Sequence, residues 1–209
     1  MAAEHRSSGL ILAGGASRRM GRDKPALTLD GRTLLDRTIC VLAAVVDEVL
    51  VVGPRQQALS APEVRVVQDD VPNAGPLGGL LAGLRRVSCS YAVTVACDLP
   101  FLEANVLRYL LDLSPGYDAV VPRVDGQNQT LHAVYASSVD AVIARHIARG
   151  QLKLDGVLPE LTVRWVDEGE LESAGLQLRS FTNVNTPADW NAARRLAAED
   201  RPGAGHATH

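Results

Sequence analysis

The sequence predicts an α/β fold in which a mostly parallel sheet carries helices on both faces. Short apolar runs alternate with segments of helical periodicity along most of the 209 residues, and this alternation is typical of parallel strands joined by helical crossovers. Aromatic residues make up only 4% of the chain, so the core has to rest on Val, Leu and Ala. Such an aliphatic core suits a sheet buried between helices better than an aromatic-rich sandwich.

The predicted elements follow from apolar periodicity. Strands are predicted over residues 9–13, 48–52, 64–67, 91–96, 119–121 and 162–166. Helices are predicted over residues 33–46, 77–87, 103–113, 137–148, 152–158 and 188–198. Asp30 and Gly31 predict a turn before the first helix. Segment 130–135 alternates weakly and is expected to be an edge or antiparallel strand, with Ser137 or Ser138 as the N-cap of the following helix.

Composition indicates one globular domain. Hydrophobic residues make up 46% of the chain and charged residues 22%, which is the balance of a folded protein rather than a disordered one. A chain of this length can bury a sizeable core. We therefore expect a single domain over residues 1–198, followed by a disordered tail over 199–209, where Gly, Ala and His predominate.

Charge and cysteine content exclude several classes of protein. The formal net charge is −3, which argues against general nucleic-acid binding. Cys40, Cys89 and Cys97 are odd in number and lack a C-x-x-C spacing, so neither a disulfide framework nor a structural zinc site is expected. No apolar segment is long enough for a signal peptide or a membrane span. We expect no membrane association and a reducing cytoplasm as the location.

Polar side chains follow four of the predicted strands at the point where each strand ends. A Gly-rich loop follows the first strand, Gly53 the second, Asp69 and Asp70 the third, and Asp98 the fourth. In an open parallel sheet, ligands bind outside the carboxyl ends of the strands. The sequence therefore predicts one ligand site along this edge.

The Gly-rich loop lies within residues 10–27 and has the composition of a polyphosphate receptor. Gly14, Gly15 and Gly21 allow close approach of a ligand to the backbone, and four cations lie among or just after them: Arg18, Arg19, Arg22 and Lys24. Free N–H groups beside cations bind phosphates well. The spacing matches neither G-x-x-x-x-G-K-[ST] nor G-x-G-x-x-G. From glycines and arginines alone, a solvated surface turn is an equal alternative.

The ordered motif Leu12-Ala13-Gly14-Gly15-x-Ser17-x-Arg19-Met20-Gly21-x-Asp23-Lys24 resembles the signature loop of the molybdenum cofactor guanylyltransferases. That family belongs to a nucleotidyltransferase superfamily with a Rossmann-like, three-layer fold. The resemblance implies transfer of GMP from GTP to the terminal phosphate of molybdopterin, with release of pyrophosphate. It implies that the loop wraps the triphosphate and that Lys24 and Arg19 are catalytic, with Lys24 neutralising the phosphates.

Three further segments resemble motifs of the same family. Cys97-Asp98-Leu99-Pro100 resembles its metal-binding motif, which makes Asp98 the expected ligand of Mg²⁺. This cation usually takes one or two carboxylates plus substrate phosphates. On position alone, Asp98 could instead cap the following helix, and Cys97 is expected to be a small buried residue.

The segment Asn183-Val184-Asn185-Thr186-Pro187 resembles the family's N-V-N-T-P motif. Alternation across Val184 places the amides of Asn183 and Asn185 on one face, within reach of a phosphate or the water shell of the metal. Asn185 or Thr186 can also be the N-cap of a helix with Pro187 at its first position. Both readings can hold, because a helix N-terminus itself favours anions.

The segment Gly75-Pro76-Leu77-Gly78-Gly79 resembles the family's G-P-L-x-G, beside the base and ribose, and implies nucleotide contacts at Gly78 and Gly79. Asp69 aligns with an aspartate that the family uses in nucleotide binding, although Asp70 could be shifted into its place.

The chain departs from the family pattern at two places. Gly53 stands where the family often has an asparagine near the nucleotide. Gly150-Gln151-Leu152-Lys153 stands where relatives often have a pterin-facing Gly-x-Arg-Arg, and Lys153 can supply the cation there.

Alternative functions remain open. A related nucleotidyltransferase could use CTP or another phosphorylated acceptor, and a non-catalytic carrier could bind the nucleotide or cofactor without turning it over. The partners implied are GTP, molybdopterin, and transiently cofactor-synthesis proteins or apo-molybdoenzymes.

His132 and His146 are expected to be packing or surface residues, although His132 could line the acceptor cleft. Arg145, Arg149, Arg194 and Arg195 are expected to be solvated.

Overall fold

A computed structural model describes residues 6–13, 27–53, 64–69, 71 and 73–199 of the chain. In these ranges the strands are β1 (Ser7–Leu12), β2 (Thr28–Leu29), β3 (Arg32–Thr33), β4 (Glu48–Val52), β5 (Arg65–Val67), β6 (Tyr91–Ala96), β7 (Ala119–Val124), β8 (Gln127–Asn128), β9 (His132–Ala136) and β10 (Val163–Val166). The α-helices are α1 (Leu34–Ala43), α2 (Gly75–Leu84), α3 (Ala104–Asp112), α4 (Asp140–Ala148), α5 (Glu168–Ser173) and α6 (Pro187–Glu199).

Seven strands form one continuous sheet in the order β10-β7-β9-β6-β1-β4-β5, and β8 adds to β7. The pairs β1–β4, β1–β6, β4–β5 and β7–β10 are parallel, whereas β9 is antiparallel to both β6 and β7. The short strands β2 and β3 form a separate hairpin. Its turn is the predicted one, with positive φ angles of 51° at Asp30 and 78° at Gly31.

Helices cover both faces of the sheet because the buried strands are apolar on both sides. Ile11 of β1 packs in the cluster that includes α1, α3 and α5, and neighbouring Leu10 packs in the cluster that includes α2 and α4. Neither side chain has any exposed surface. This arrangement confirms the predicted three-layer α/β fold with a mostly parallel sheet.

The start of α1 shows how local sequence defines an element. The Thr33 hydroxyl accepts a hydrogen bond from the Asp36 N–H (3.0 Å) and caps the helix. The buried face then carries residues at helical spacing, among them Leu35, Ile39 and Leu42. The helix ends at Ala43, three residues before the predicted end, because the amides of the next residues bond back to the Leu42 carbonyl.

Several expectations for the last third of the chain were wrong. Strand β9 is antiparallel, as one alternative held, but it lies in the interior of the sheet and not at its edge. Neither Ser137 nor Ser138 caps α4, because the helix is entered through a 3₁₀ turn, Ser137–Val139, that lacks a side-chain cap. The predicted helix over 152–158 consists of 3₁₀ turns at Leu154–Gly156 and Leu158–Glu160.

Helix α5 was not predicted, and the predicted disordered tail lies almost wholly outside the described residues. Helix α5 has six residues, a single buried side chain (Leu171) and an Asp167 cap, so its periodic signal is too short to read. Helix α6 runs to Glu199, the last residue described, and the expected tail lies otherwise outside the described residues. In the parts of the chain that the structure describes, no helix combines the length and the apolar character needed to cross a membrane.

Candidate active site

Four parallel strands end side by side at one edge of the sheet. Leu12 of β1 is in register with Val52 of β4 and with Ala96 of β6, and Val52 is in register with Val67 of β5. The residues that follow these strands therefore share one edge, as predicted. The ends of β5 and β6 are three strand spacings apart, about 14 Å, and the Gly-rich loop leaves β1 between them.

The first two residues of the motif Leu12–Lys24, which contains the Gly-rich loop, lie in the core. Leu12 and Ala13 are both buried, and the Ala13 N–H donates to the Val52 carbonyl (2.9 Å). Their contribution to a ligand is thus limited to backbone groups. The remaining candidates of the loop, together with Asp70, lie outside the described residues and stay predictions: Gly14, Gly15, Ser17, Arg19 and Lys24.

Asp69 is held against the first turns of α2. Its Oδ1 accepts a hydrogen bond from the Val71 N–H (2.9 Å). A Cβ placed on Gly78 would lie 3.1 Å from Oδ1 and 3.3 Å from Oδ2 of Asp69, and only 2.8 Å from the Ala74 Cβ. The helix has no acidic residue in its own first turn. Gly78 therefore makes room for a carboxylate near the positive end of the helix.

Gly79 has a different role. A Cβ at this position would meet the Leu12 Cδ2 at 3.5 Å and the Val52 Cγ1 at 3.7 Å. The residue therefore faces β1 and β4, with room for a Cβ at ordinary van der Waals distances. A nucleotide contact by Gly79 stays a prediction, limited to its backbone.

The two neighbouring glycines make a matched pair of variants. We expect Gly78→Ala to displace Asp69, to destabilise the fold by about 1–2 kcal/mol, and to weaken binding of a nucleoside triphosphate. Gly79→Ala creates only ordinary van der Waals contacts, so we expect stability equal to the wild type or higher by up to about 1 kcal/mol. Urea unfolding and a nucleotide titration of both variants test this. Equal losses in the two variants would contradict the role assigned to Gly78.

Asp98 lies in the turn that follows β6. A backbone contact joins it to the segment Asn183–Pro187, which we call the Asn-rich motif. Its side chain is partly buried, whereas Cys97 and Leu99 on either side are buried. The Asp98 carbonyl accepts a hydrogen bond from the Val184 N–H (3.0 Å). Val184 is fully buried and its neighbours Asn183 and Asn185 are exposed. The predicted alternation is confirmed, and each Asn is one residue from the Val184 N–H that bonds to the Asp98 backbone.

A second set of contacts fixes the Asp98 loop, which we define as residues 97–103. The buried Ser180 hydroxyl accepts from the Glu103 N–H (3.0 Å), and the Arg179 Nε donates to the Glu103 Oε1 (3.1 Å). From the other side, the Arg37 Nη2 lies 3.4 Å from the Pro100 carbonyl oxygen. Sequence reasoning missed these anchors. The available signal was the position of Ser180-Phe181, which only Thr182 separates from the motif Asn183–Pro187.

The two capping alternatives have different outcomes. The N-cap of α3 is Glu103, without a side-chain cap bond, so the expectation that Asp98 could cap this helix was wrong. Thr186 does cap α6, because its Oγ1 accepts from the Asp189 N–H (3.2 Å). In return, the Asp189 carboxylate accepts from the N–H groups of Asn185 (2.9 Å) and Thr186 (2.8 Å).

The donors around Asp98 suit Mg²⁺. In the described ranges, no group of three or more His, Cys, Asp or Glu side chains could hold a metal ion by itself. A single carboxylate at the carboxyl ends of the strands matches a hard cation whose other ligands are substrate phosphates and water. Metal binding by Asp98 stays a prediction.

A further cluster lies at the end of β7, a strand that β9 separates from β6 in the sheet. Exposed Lys153 precedes the turn Leu154–Gly156, and Asp155 in this turn accepts from the Asn128 Nδ2 (2.8 Å). Arg123 donates from Nε to the Asn128 Oδ1 (3.1 Å), and its guanidinium lies 3.8 Å from the Trp165 ring centroid. Arg123 was not predicted. Its signal was a cation at the end of an apolar strand.

His132 is packed in the core. Its side chain is 1% exposed, its ring centroid lies 4.2 Å from that of Phe181, and neither ring nitrogen has a hydrogen-bond partner. Burial lowers the pKa of His132 from 6.5 to about 3, so the ring is neutral at physiological pH. The packing prediction is confirmed, and the alternative that His132 lines an open cleft is wrong.

His146 stabilises the end of α4. Its buried ring bonds through Nε2 to the Glu160 Oε1 (2.8 Å), and Arg145 and Arg149 approach the same carboxylate at 3.1 and 4.0 Å. Hydrogen bonds from His146 and then Arg145 lower the pKa of Glu160. The packing role of His146 is confirmed, and the two arginines predicted to be solvated pair with Glu160.

Known proteins with similar sequences include enzymes of molybdenum cofactor synthesis. A probable molybdenum cofactor guanylyltransferase of Pelotomaculum thermopropionicum is 35% identical over 197 residues, which cover 94% of this chain and 96% of the relative. The molybdenum cofactor guanylyltransferase of Desulfosudis oleivorans is 34% identical over 181 residues, covering 86% of this chain and 90% of the relative.

Solved structures include a close neighbour. The molybdopterin-guanine dinucleotide biosynthesis protein A from Archaeoglobus fulgidus superposes with a TM-score of 0.80 at 28% identity, covering 92% of this chain and 99% of that one. Residues 9–162, from the first strand of the sheet to the start of the last, match the family described as the MobA-like NTP transferase domain. The chain belongs to this family of nucleotidyltransferases.

Proposed function

We propose that this chain is a molybdenum cofactor guanylyltransferase. It transfers GMP from GTP to the terminal phosphate of molybdopterin, forms molybdopterin guanine dinucleotide and releases pyrophosphate. The observation that carries the proposal is the hydrogen bond from the Val184 N–H to the Asp98 carbonyl. It brings the metal-binding and Asn-rich motifs together in a chain 35% identical to a probable guanylyltransferase.

The order of the candidate residues along the carboxyl ends of the strands supports one arrangement of the two substrates. Asp69 and the start of α2 follow β5, at the end where the nucleoside would bind. The Gly-rich loop leaves β1, next to the position for the triphosphate. Asp98 follows β6, and Lys153 and Arg123 lie beyond it, where the acceptor would approach. The separation of about 14 Å between the ends of β5 and β6 suits a nucleotide lying across the edge.

The reaction needs positioning and charge neutralisation more than covalent chemistry. An oxygen of the acceptor's terminal phosphate attacks the α-phosphorus of GTP, and the bond from this phosphorus to the pyrophosphate oxygen breaks. No protein nucleophile is required. Lys24 and the N–H groups of the loop would stabilise the charge that develops on the phosphate oxygens.

Asp98 would hold Mg²⁺ at the junction of the two substrates. When bound, the cation supplies charge neutralisation at the phosphates. The chain's part is to fix the carboxylate and the amides of Asn183 and Asn185 in one place, so that they meet the phosphates or the cation's water shell. Lys153 would contact the acceptor. A cytoplasmic location suits three cysteines that form no disulfide. Transient contact with cofactor-synthesis proteins or apo-molybdoenzymes suits a product that has to be handed on.

Thermal unfolding with Mg²⁺ and each of GTP, CTP, ATP and UTP tests the nucleotide choice. A ligand at about a hundred times its dissociation constant stabilises the fold by roughly 2.7 kcal/mol, which is a readily measured shift. We expect the shift to be largest for GTP and to depend on Mg²⁺.

The same samples separate the alternatives. A preference for CTP would contradict guanylyl transfer but keep a nucleotidyltransferase. GTP binding without pyrophosphate release in the presence of molybdopterin would indicate a carrier. Release of one pyrophosphate for each dinucleotide formed is the expected result.

A further inference from the structure

His132 is a buried residue whose position the proposed reaction does not itself explain. The ring is 1% exposed and both nitrogens lack hydrogen-bond partners. An unpartnered polar group in a core costs free energy, so the residue carries a cost that an aliphatic side chain would avoid. Because the nitrogens make no bonds, the contribution of the ring has to come from its shape and its contacts.

Those contacts lead to the Asp98 loop by two short paths. In the sheet, His132 of β9 is in register with Val95 of β6, three residues before Asp98. On the face of the sheet, its ring meets the Phe181 ring at a centroid distance of 4.2 Å and an interplanar angle of 33°. His132 therefore contacts both the strand that delivers Asp98 and the segment that holds the Asp98 loop.

The segment with Phe181 at its centre fixes the Asp98 loop at two points. One residue before Phe181, the Ser180 hydroxyl accepts from the Glu103 N–H (3.0 Å). Three residues after it, the Val184 N–H donates to the Asp98 carbonyl (3.0 Å). Phe181 is itself 5% exposed and packs in the same cluster as Val95 and Leu99. A shift of the Phe181 ring would move both anchors together.

We infer that His132 is a positioning residue, whose ring supports Phe181 and thereby holds Asp98 and the Asn-rich motif in register with each other. The support is steric, and the neutral ring adds no positive charge beside the expected cation site. Small displacements of a site matter, since misplacement by about 1 Å can lower turnover about a hundred-fold. The kinetic part of this inference rests on the proposed function, whereas the structural part does not.

Hydrogen exchange at the Val184 amide tests the structural part directly. We expect His132→Ala to accelerate exchange at Val184 more than at Ile11 of β1. Ile143→Ala is the matched control, because Ile143 is fully buried in the cluster on the opposite face of the sheet. This control is expected to lower stability and to accelerate both amides by a similar factor. Equal acceleration of the two amides in His132→Ala would overturn the inference.

Turnover separates positioning from loss of stability. At temperatures where both variants are folded, we expect His132→Ala to lower kcat about ten- to a hundred-fold with the KM for GTP nearly unchanged, and Ile143→Ala to keep kcat. His132→Leu restores most of the volume without the nitrogens, so it is expected to recover turnover and slow exchange at Val184. A His132→Leu protein as impaired as His132→Ala would overturn the steric role.

Failure of the proposed function would look different. If the wild type forms no dinucleotide while the Val184 amide still responds to His132→Ala, the support of the Asp98 loop stands and guanylyl transfer is wrong. If dinucleotide forms normally in His132→Ala and the Val184 amide is unchanged, guanylyl transfer stands and the inference is wrong.

Discussion

Asp98→Asn is expected to lower turnover about a hundred- to a thousand-fold, while the free energy of unfolding changes little. The substitution removes a negative charge from the strand edge where the cation and both substrates are expected to meet, and loss of one such charge-stabilising group typically costs about 3–4 kcal/mol in the transition state. The fold should survive, because one contact that anchors this position joins the Asp98 carbonyl to the Val184 N–H, and the substitution leaves both of these backbone groups in place.

The Mg²⁺ dependence gives the expected loss a distinct signature. We expect Asp98→Asn to raise the Mg²⁺ concentration for half-maximal activity, whereas GTP binding measured by thermal shift falls much less than turnover. Asp112→Asn is a suitable control, since this exposed aspartate lies at the far end of α3. Near-normal turnover of Asp98→Asn, with an unchanged Mg²⁺ requirement, would contradict the metal role.

Buried parallel strands were predictable because their sequence constraint is local and strong. Strands β4 and β6 match their predicted limits of 48–52 and 91–96, since both faces are covered and every position except Glu48 and Thr94 is apolar. The place of β9 could not be read in this way. Its neighbours are set by pairing with strands on either side that are far apart in sequence, and apolar alternation does not say which strands those are.

The candidate site was predictable where a linear motif carries it. Asp98, Asn183 and Asn185 were predicted from short motifs, and the structure brings them together through one hydrogen bond. Residues that pack against those motifs belong to no recognisable sequence motif of their own. Ser180 bonds to Glu103 of the Asp98 loop across 77 residues, and Phe181 contacts His132 of β9. Only the folded chain shows these connections.

The Gly78-Gly79 pair shows a further limit of motif reading. The resemblance implies the same nucleotide contact for both glycines. In the structure, Gly78 lies against the Asp69 carboxylate, whereas Gly79 faces Leu12 and Val52 of the sheet. Which glycine faces the sheet depends on how α2 is rotated about its axis. That rotation depends on how the buried leucines of α2 pack with residues of β1 and β4, among them Leu12 and Val52.

The chain contains only two lysines, Lys24 and Lys153, and the proposed function gives them different kinetic roles. Lys24→Met is expected to lower kcat about a hundred- to a thousand-fold, because the cation that neutralises the transferred phosphate is lost. Its stabilisation by GTP should also fall more than its stabilisation by GMP, since the charge acts on the triphosphate. Lys24→Arg keeps the charge but changes its geometry, and is expected to recover part of the turnover.

Lys153→Met supplies the contrast that identifies the role of Lys24. Lys153 is exposed beside the end of β7, on the side of Asp98 where the acceptor is expected, so its loss should raise the KM for molybdopterin about ten-fold and leave the KM for GTP unchanged. Steady-state kinetics with each substrate varied in turn measure both effects. If Lys24→Met raised only the KM for molybdopterin, the lysine would act on the acceptor. If it kept full turnover, the charge that drives transfer would have to come from elsewhere in the loop, with Arg19 as the next residue to replace.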